Sequence, residues 1–256
     1  MSKLISIITP SFNSEKYISE TIKSVQNQSY SNWELLIVDD ASTDTTCLIA
    51  ERYSKKDTRI QLTKNATNKG AAFCRNLATK LAKGTYIAFL DSDDLWHSNK
   101  LEKQINFMNK HQNGVSYTNY LHIDEEGNAL AKRIKAMPSL SYKKQLKNNY
   151  IGNLTGIYNA EVLGKITAPN LRKRQDWAVW LEAIKCNKKP AIGLQEDLAF
   201  YRVHKKSMSS NKTSLLKYNY WFYNKHLGYS KIVSVFYLVQ FLWEYFFVRP
   251  KYIQKL

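Results

Sequence analysis

Two hydrophobic periodicities alternate through the first ninety residues, and that alternation is the tightest constraint on the fold. Apolar runs at residues 4–9, 33–38 and 86–90 read as buried strands, and residues 60–62 as a weaker one. Between them lie stretches with helical spacing. Residues 14–26 place Ile18, Ile22 and Val25 on one face, a second helix runs from an Asp44 N-cap to about Tyr53, and a third over residues 71–82 is stopped by Gly84. A βαβαβαβ order calls for a mostly parallel sheet with helices on both faces, because each crossover returns the chain to the same edge. The class is α/β with a Rossmann-like sheet.

Two of the strands end in acid. Asp39-Asp40 closes one run and Asp91-Ser92-Asp93-Asp94 closes another. The C-terminal edge of an open α/β sheet is where ligands bind. Carboxylates this crowded repel one another, and the usual compensation is a hard divalent cation that takes oxygen ligands and brings phosphates with it. The pattern therefore predicts a site for a metal-bound nucleotide.

Past residue 95 the pattern loosens. Residues 100–110 read as a helix with Leu101, Ile105 and Met108 inward, 115–123 as a strand, and Asp124-Glu125-Glu126-Gly127-Asn128 as a hairpin turn. Residues 131–149 hold Lys132, Arg133, Lys135, Lys143, Lys144 and Lys147 with no acid and little periodicity, so a mobile loop is expected there. Helical spacing returns over 175–186, and short strands are expected near Ile192 and Phe200. Residues 232–248 are almost continuously apolar, broken by Gln240 and Glu244 and flanked by Lys231, Arg249 and Lys251. A spanning helix needs about 20 apolar residues. An amphipathic helix lying in the bilayer interface fits better, with packing on the body of the protein or crossing the membrane as alternatives.

Charge narrows the partners. Thirty-eight Lys and Arg against 21 Asp and Glu give a formal net charge of +17, which favours anionic ligands or anionic lipid, unless the lysines serve only solubility. Cys47, Cys74 and Cys186 lack metal-ligand spacing and fit a reducing compartment. Residues 1–13 offer no apolar stretch long enough for a secretory signal, so a cytoplasmic location is expected.

Five segments carry a resemblance when taken in order: Ile8-Thr9-Pro10-Ser11-Phe12-Asn13, Val38-Asp39-Asp40-Ala41-Ser42-Thr43-Asp44, Asn68-Lys69-Gly70, Arg75-Asn76, and the run from Gly84 to Asp94. Over residues 4–110 their order and spacing resemble the family 2 inverting glycosyltransferases with the GT-A fold, of the bacterial O-antigen, capsule and teichuronic-acid type. Gln175-Asp176-Trp177 and Tyr201-Arg202-Val203-His204 extend the likeness to about residue 210; the basic, aromatic tail lies outside it. The resemblance implies a nucleotide-sugar-binding half (residues 1–95), an acceptor-binding half of the same domain (96–212) and a helical tail (213–256).

It also implies roles. Pro10, Phe12 and Asn13 would hold the base, with Phe12 stacking near uracil where many relatives carry tyrosine. Asp40 would accept a hydrogen bond from the base and Asp39 would orient ribose or backbone groups, while Lys69, Gly70 and Arg75 would steady the nucleotide. Asp91-Ser92-Asp93 matches the DxD motif: Asp93 would coordinate Mn²⁺ or Mg²⁺, Asp91 would face the ribose and Asp94 the donor sugar. His204 would join the metal or the diphosphate, with Arg202, Lys205, Lys206, Ser207 and Ser209 adding positive charge and donors. Asp176 would be the general base, here after Gln175 where relatives usually have glutamate. Trp177 and Trp180 either wall the acceptor pocket or pack the core. Trp96 is followed by His97-Ser98, whereas relatives usually have proline two residues after the tryptophan, a departure that bears on loop rigidity.

The implied reaction moves a hexose (glucose, galactose or an N-acetylhexosamine) from a UDP-sugar to a lipid-diphosphate-linked saccharide, at the inner face of the cell membrane. The Gln-x-x-Arg-Trp signature of a processive synthase is missing. A catalytically silent sugar-nucleotide binder and a basic nucleic-acid-binding module are the rival classes. Acidic strand ends and the lack of a recognised RNA or DNA motif weigh against nucleic acid.

Overall fold

In the computed structural model, residues 2–204 and 212–256 are described. The first half contains β1 (Ile5–Ser11), α1 (Ile18–Gln26), β2 (Trp33–Asp39), α2 (Thr46–Ser54), β3 (Ile60–Lys64), α3 (Ala71–Leu81) and β4 (Tyr86–Phe89). β1 lies between β4 and β2, β3 flanks β2, and all four strands are parallel. Alternate residues sort onto opposite faces, as a period of two requires. Ile8, Leu36, Val38, Ile87 and Phe89 meet Ala72, Cys74 and Ala78 of α3. Ile5, Ile7, Leu35, Ile37 and Ala88 meet Ile18 and Ile22 of α1 and Ala50 of α2. Burial on both faces is why these strands are apolar throughout.

The second half adds β5 (Leu95–Trp96), α4 (Lys100–Lys110), β6 (Val115–Ile123), β7 (Ala129–Ile134), β8 (Ser139–Leu140), α5 (Tyr142–Lys147), β9 (Ile157–Asn159), α6 (Ala160–Leu163), α7 (Gln175–Asn187) and β10 (Ala191–Arg202). β9 lies antiparallel between β4 and β6, so β6 runs with β4, and β10 runs with β6. The C-terminal ends of β1, β2, β4, β6 and β10 therefore open on one edge. This is an α/β GT-A-like sheet, mixed but mostly parallel, with α3 and α7 on one face and α1, α2 and α4 on the other.

Three expectations are corrected here. The mobile loop expected over residues 131–149 is ordered as most of β7, then β8 and α5. Its partners are remote in sequence: the Arg133 guanidinium forks onto Asp197, and Ile134, Met137, Leu140 and Leu146 are buried. The two short strands expected near residues 192 and 200 are one strand, β10. Its register against β6 shifts around Asp197, and that bulge is the polar break that made it read as two. The helix expected from residue 14 starts at Ile18, after a turn in which the Tyr17 amide donates to the Ser14 carbonyl.

After α8 (Lys212–Trp221) a π-helical turn leads to α9 (Lys231–Trp243), a second π turn and β11 (Ile253–Lys255), which pairs antiparallel with β7 at the sheet edge. One side of this tail packs inward. Phe222 stacks on Trp177 at 4.3 Å, and Phe241 joins the same cluster with Leu146 and Leu181. Trp177 and Trp180 are fully buried, so core packing is their role. The other side of α9 presents Ile232 (84% exposed), Val235, Phe236, Val239 and Trp243, with Phe246 and Phe247 beyond it. Lys231–Tyr252, 22 residues, is long and apolar enough to cross a membrane by length and composition alone.

Candidate active site

Sequence and strand direction bring most of the expected residues to that one edge. Phe12 and Asn13 follow β1, with the Phe12 ring half exposed. Asn13 and Ala41, in the turns after β1 and β2, both hold positive φ (47° and 61°), a costly conformation for residues with a Cβ. The Asp40 amide donates to the Ser11 carbonyl at 2.9 Å, locking the two strand ends together. Asp39 is buried and accepts from the Ser11 and Ser42 hydroxyls and the Ser42 amide.

Asp40 is also buried. Its carboxylate accepts from the Asn65 side chain (2.8 Å), the Lys69 amide (2.8 Å) and the Gly70 amide (2.7 Å). Burial opposes its charge, yet these three donors outweigh it and hold the carboxyl below its usual range. Asp40 thus shapes the loop before α3. Gly70 sits there at φ 87°, a conformation glycine adopts without penalty. The Lys69 ammonium lies over the Phe73 ring at 4.5 Å.

The DSDD turn divides its carboxylates between different partners. Asp91 Oδ1 accepts from Arg75 Nη2 at 2.7 Å. The Ser92 hydroxyl meets that of Ser14 at 2.7 Å. Asp93 Oδ2 lies 2.7 Å from His204 Nε2, and the His204 ring rests against Tyr17. Asp94 is buried and accepts from the Arg202 amide at 2.9 Å. Burial, reinforced by the Asp91 charge, raises Asp93, which His204 partly offsets. Burial and the charges of Asp93 and Asp91 push Asp94 well above the usual carboxylate range. This edge holds more negative charge than its neighbours neutralise.

Arg202 is 1% exposed. Nε donates to the Asp93 carbonyl (2.9 Å), Nη1 to the Glu125 carbonyl (3.0 Å) and Nη2 to Glu20 Oε2 (2.7 Å), and the guanidinium lies over Tyr17 at 4.7 Å. It pins the DSDD turn from behind. Lys205, Lys206, Ser207 and Ser209 lie outside the described residues.

Asp176 stands in the first turn of α7, after Arg174 in the left-handed region (φ 72°). The helix N-terminus favours its negative charge, and Asn149 Nδ2 donates to its Oδ2 at 2.8 Å. Arg75 joins this helix to the acidic turn: Nη1 donates to Gln175 Oε1 at 3.2 Å while Nη2 holds Asp91. Its buried Nε has no acceptor among the described residues. Glu20, Tyr17, Asn65 and Asn149 escaped the sequence reading. Each is an ordinary polar residue of a helix or loop, with no local pattern that marks it.

The family model for glycosyl transferase family 2 matches residues 6–165. The chain belongs to that family. This glycosyltransferase is 45% identical to TuaG of Bacillus subtilis, assigned to teichuronic acid biosynthesis, over 87% of this chain and 88% of that protein. It is 40% identical to WfgD of Escherichia coli, named a UDP-Glc:α-D-GlcNAc-diphosphoundecaprenol β-1,3-glucosyltransferase, over 93% and 92%. Among solved structures, S. aureus TarS (residues 1–349) with UDP-GlcNAc superposes with a TM-score of 0.74 at 23% identity, covering 96% of this chain and 73% of that one. The mannosyltransferase PcManGT of Pyrobaculum calidifontis with GDP-Man and Mn²⁺ gives 0.69 at 15% identity, covering 98% and 72%. These likenesses confirm the GT-A fold, and one neighbour of this fold holds Mn²⁺.

Proposed function

We propose that this glycosyltransferase moves a hexose from a UDP-sugar to a lipid-diphosphate-linked saccharide, with inversion, in bacterial surface-polysaccharide assembly. The observation that carries the reading is Arg75, which ties the acidic turn to the start of the helix that bears Asp176. Donor-side carboxylates and a candidate base are thereby held by one side chain. Relatives named for teichuronic acid and for a diphosphoundecaprenol acceptor support the substrate class.

The nucleoside lies over Pro10, Phe12 and Asn13, within the loops that Asp39, Asp40, Lys69 and Gly70 shape. Asp91 and Ser92 face the ribose side, with Arg75 Nε as a spare donor. Asp94 and Arg202 act by holding the turn, since both are buried. Asp93 and His204 offer carboxylate oxygen and imidazole nitrogen, a donor set that suits Mn²⁺ and accommodates Mg²⁺. Burial, and after it the Asp91 charge, raise the proton affinity of Asp93, and a cation beside it would favour the ionised form. Asp93 and His204 are the two side chains that would hold the cation; no group of three or more metal-ligating side chains occurs among the described residues. When bound, the cation stabilises charge on the leaving diphosphate.

Asp176 takes the proton of the acceptor hydroxyl as that oxygen bonds to the anomeric carbon and the bond to the diphosphate breaks. Asn149 donates to Oδ2, which supports Oδ1 as the oxygen that receives the proton. The exposed apolar side of α9 and the net positive charge support a peripheral position on the inner face of the membrane.

The test is Asp176→Asn, with transfer followed across a panel of UDP-hexoses and membrane lipid extract supplied as acceptor. Turnover should fall by about 10³-fold while UDP binding in Mn²⁺ persists, a loss typical of removing a general base. Retained turnover removes Asp176 as the base, and a wild-type protein that binds but never transfers is the silent binder.

A further inference from the structure

The loop between α5 and the following 3₁₀ turn is held by the tail on one side and by α5 and α7 on the other. Arg249 Nη1 donates to the Asn149 carbonyl (2.8 Å) and to Asn148 Oδ1 (2.7 Å). Five residues earlier, Glu244 is 4% exposed and bonds Lys144 at 2.7 Å and the Tyr150 hydroxyl. The Asn149 amide is oriented as well: Gln145 Nε2 donates to its Oδ1 at 2.8 Å, which leaves Nδ2 for Asp176. Gln145 is itself fully buried, and its carbonyl accepts from Trp177 of α7. Both polar ends of the Asn149 side chain and its carbonyl are engaged.

We propose that Asn149 is the positioning residue for Asp176, and that Arg249 sets Asn149, so the C-terminal segment completes the active site. This rests on the reading of Asp176 as the base. The donor at Oδ2 fixes the carboxylate's rotation, presenting Oδ1 to the acceptor. The same segment exposes Trp243, Phe246 and Phe247 outward while Glu244 and Arg249 grip the loop inward. A single stretch of chain therefore faces solvent with its apolar side and the catalytic half with its polar side.

The experiment compares Asn149→Ala, Asn149→Asp, Arg249→Met and Arg249→Lys with wild type and with Asp176→Asn, in full-length protein. The ionisable groups facing Asp176 are Arg75, Arg174 and Tyr120, and none titrates between pH 5 and 8; Asp93 and Asp94 on the donor side are raised as well, so the acidic limb is read as the difference between each variant and wild type. Asn149→Ala should lower kcat at least tenfold with donor KM within threefold, and move the acidic limb of the kcat profile upward. Asn149→Asp, which brings a charge and no donor, should move it further. Arg249→Met should follow in the same direction, and Arg249→Lys should recover most of the loss.

Two failures are distinct. If Asp176→Asn keeps turnover, the base is misassigned and the proposal falls with it. If Asp176→Asn is inactive but Asn149→Ala leaves the limb in place, Asn149 does not position the base. A limb unmoved by Arg249→Met refutes the link to the tail. Should Asn149→Ala fail to fold, the two Arg249 variants decide by the same criterion.

Discussion

Replacing Arg75 by methionine keeps the length and apolar stem of the side chain and removes the fork that joins β4's end to α7. Two bonds are lost, one to Asp91 at 2.7 Å and one to Gln175 at 3.2 Å. Breaking a fully buried ion pair by removing one partner costs about 3–5 kcal/mol, and a hydrogen bond to a charged group contributes about 1.5–3 kcal/mol. Here the side chains of Arg75 and Asp91 are 15% and 32% exposed, so water restores part of the loss for Asp91. A stability loss of about 2 kcal/mol remains, read in the melt, and roughly 30-fold in kcat/KM is expected where the same contacts hold the site in the transition state. Lysine keeps the charge but makes one contact, and about fivefold is expected.

Both kcat and donor KM should change, because Arg75 bonds both Asp91 of the acidic turn and Gln175 beside the proposed base Asp176. Initial rates with varied UDP-hexose, alongside a thermal melt, measure this. An Arg75→Met enzyme with kcat/KM within threefold of wild type and an unaltered melt would refute the idea that this side chain unites the site.

Further outcomes are expected. Phe236→Ser/Trp243→Ser/Phe247→Ser, on the outer side of the tail, should weaken co-sedimentation with anionic vesicles by about 10²-fold, since each half-exposed ring contributes about 1 kcal/mol on burial; unchanged vesicle binding would mean the surface is not a lipid contact. Burial, with help from Lys132 and Arg249, lowers His122 to about 4. Between about 6.5 and 4 the unfolded chain therefore binds more protons, and stability falls as pH drops through that window. His122→Gln should remove about 2 kcal/mol of that loss in denaturant titrations at pH 7 and pH 4, and parallel curves for the two proteins would contradict the assignment. Burial raises the Cys74 thiol to about 12, whereas Cys186 is exposed. Iodoacetamide at pH 8 should modify Cys186 and spare Cys74 in the native protein, read by peptide mass mapping.

How much of this was legible in the chain depends on where each residue's partners lie. Parallel strands buried on both faces must be apolar throughout, so β1, β2 and β4 show as runs whatever surrounds them. Residues 100–110 and 115–123 match α4 and β6 end to end because their inward faces are continuous. Residues 131–149 gave no such sign. Arg133 is held by Asp197 and Lys144 by Glu244, and a basic residue whose counter-charge lies 64 or 100 positions away looks like a solvated one. At the site, the strand-end carboxylates announce themselves through crowding. Asn149 and Glu20 do not, because one polar residue on a loop or helix face carries no local pattern.

The same reasoning changes what the tail means. By composition it stands apart from the domain before it, and removing it would look like a clean way to ask whether it binds membrane. Its inward contacts argue otherwise. Phe241 fills the cluster around Trp177 in α7, β11 extends the sheet beside β7, and Arg249 holds the residue that bonds Asp176. A truncated enzyme would lose packing under α7 together with its exposed apolar side, and its inactivity would say nothing about location. Only substitutions confined to the outer side separate the two roles, because those rings touch solvent and the grip of Glu244 and Arg249 is left in place.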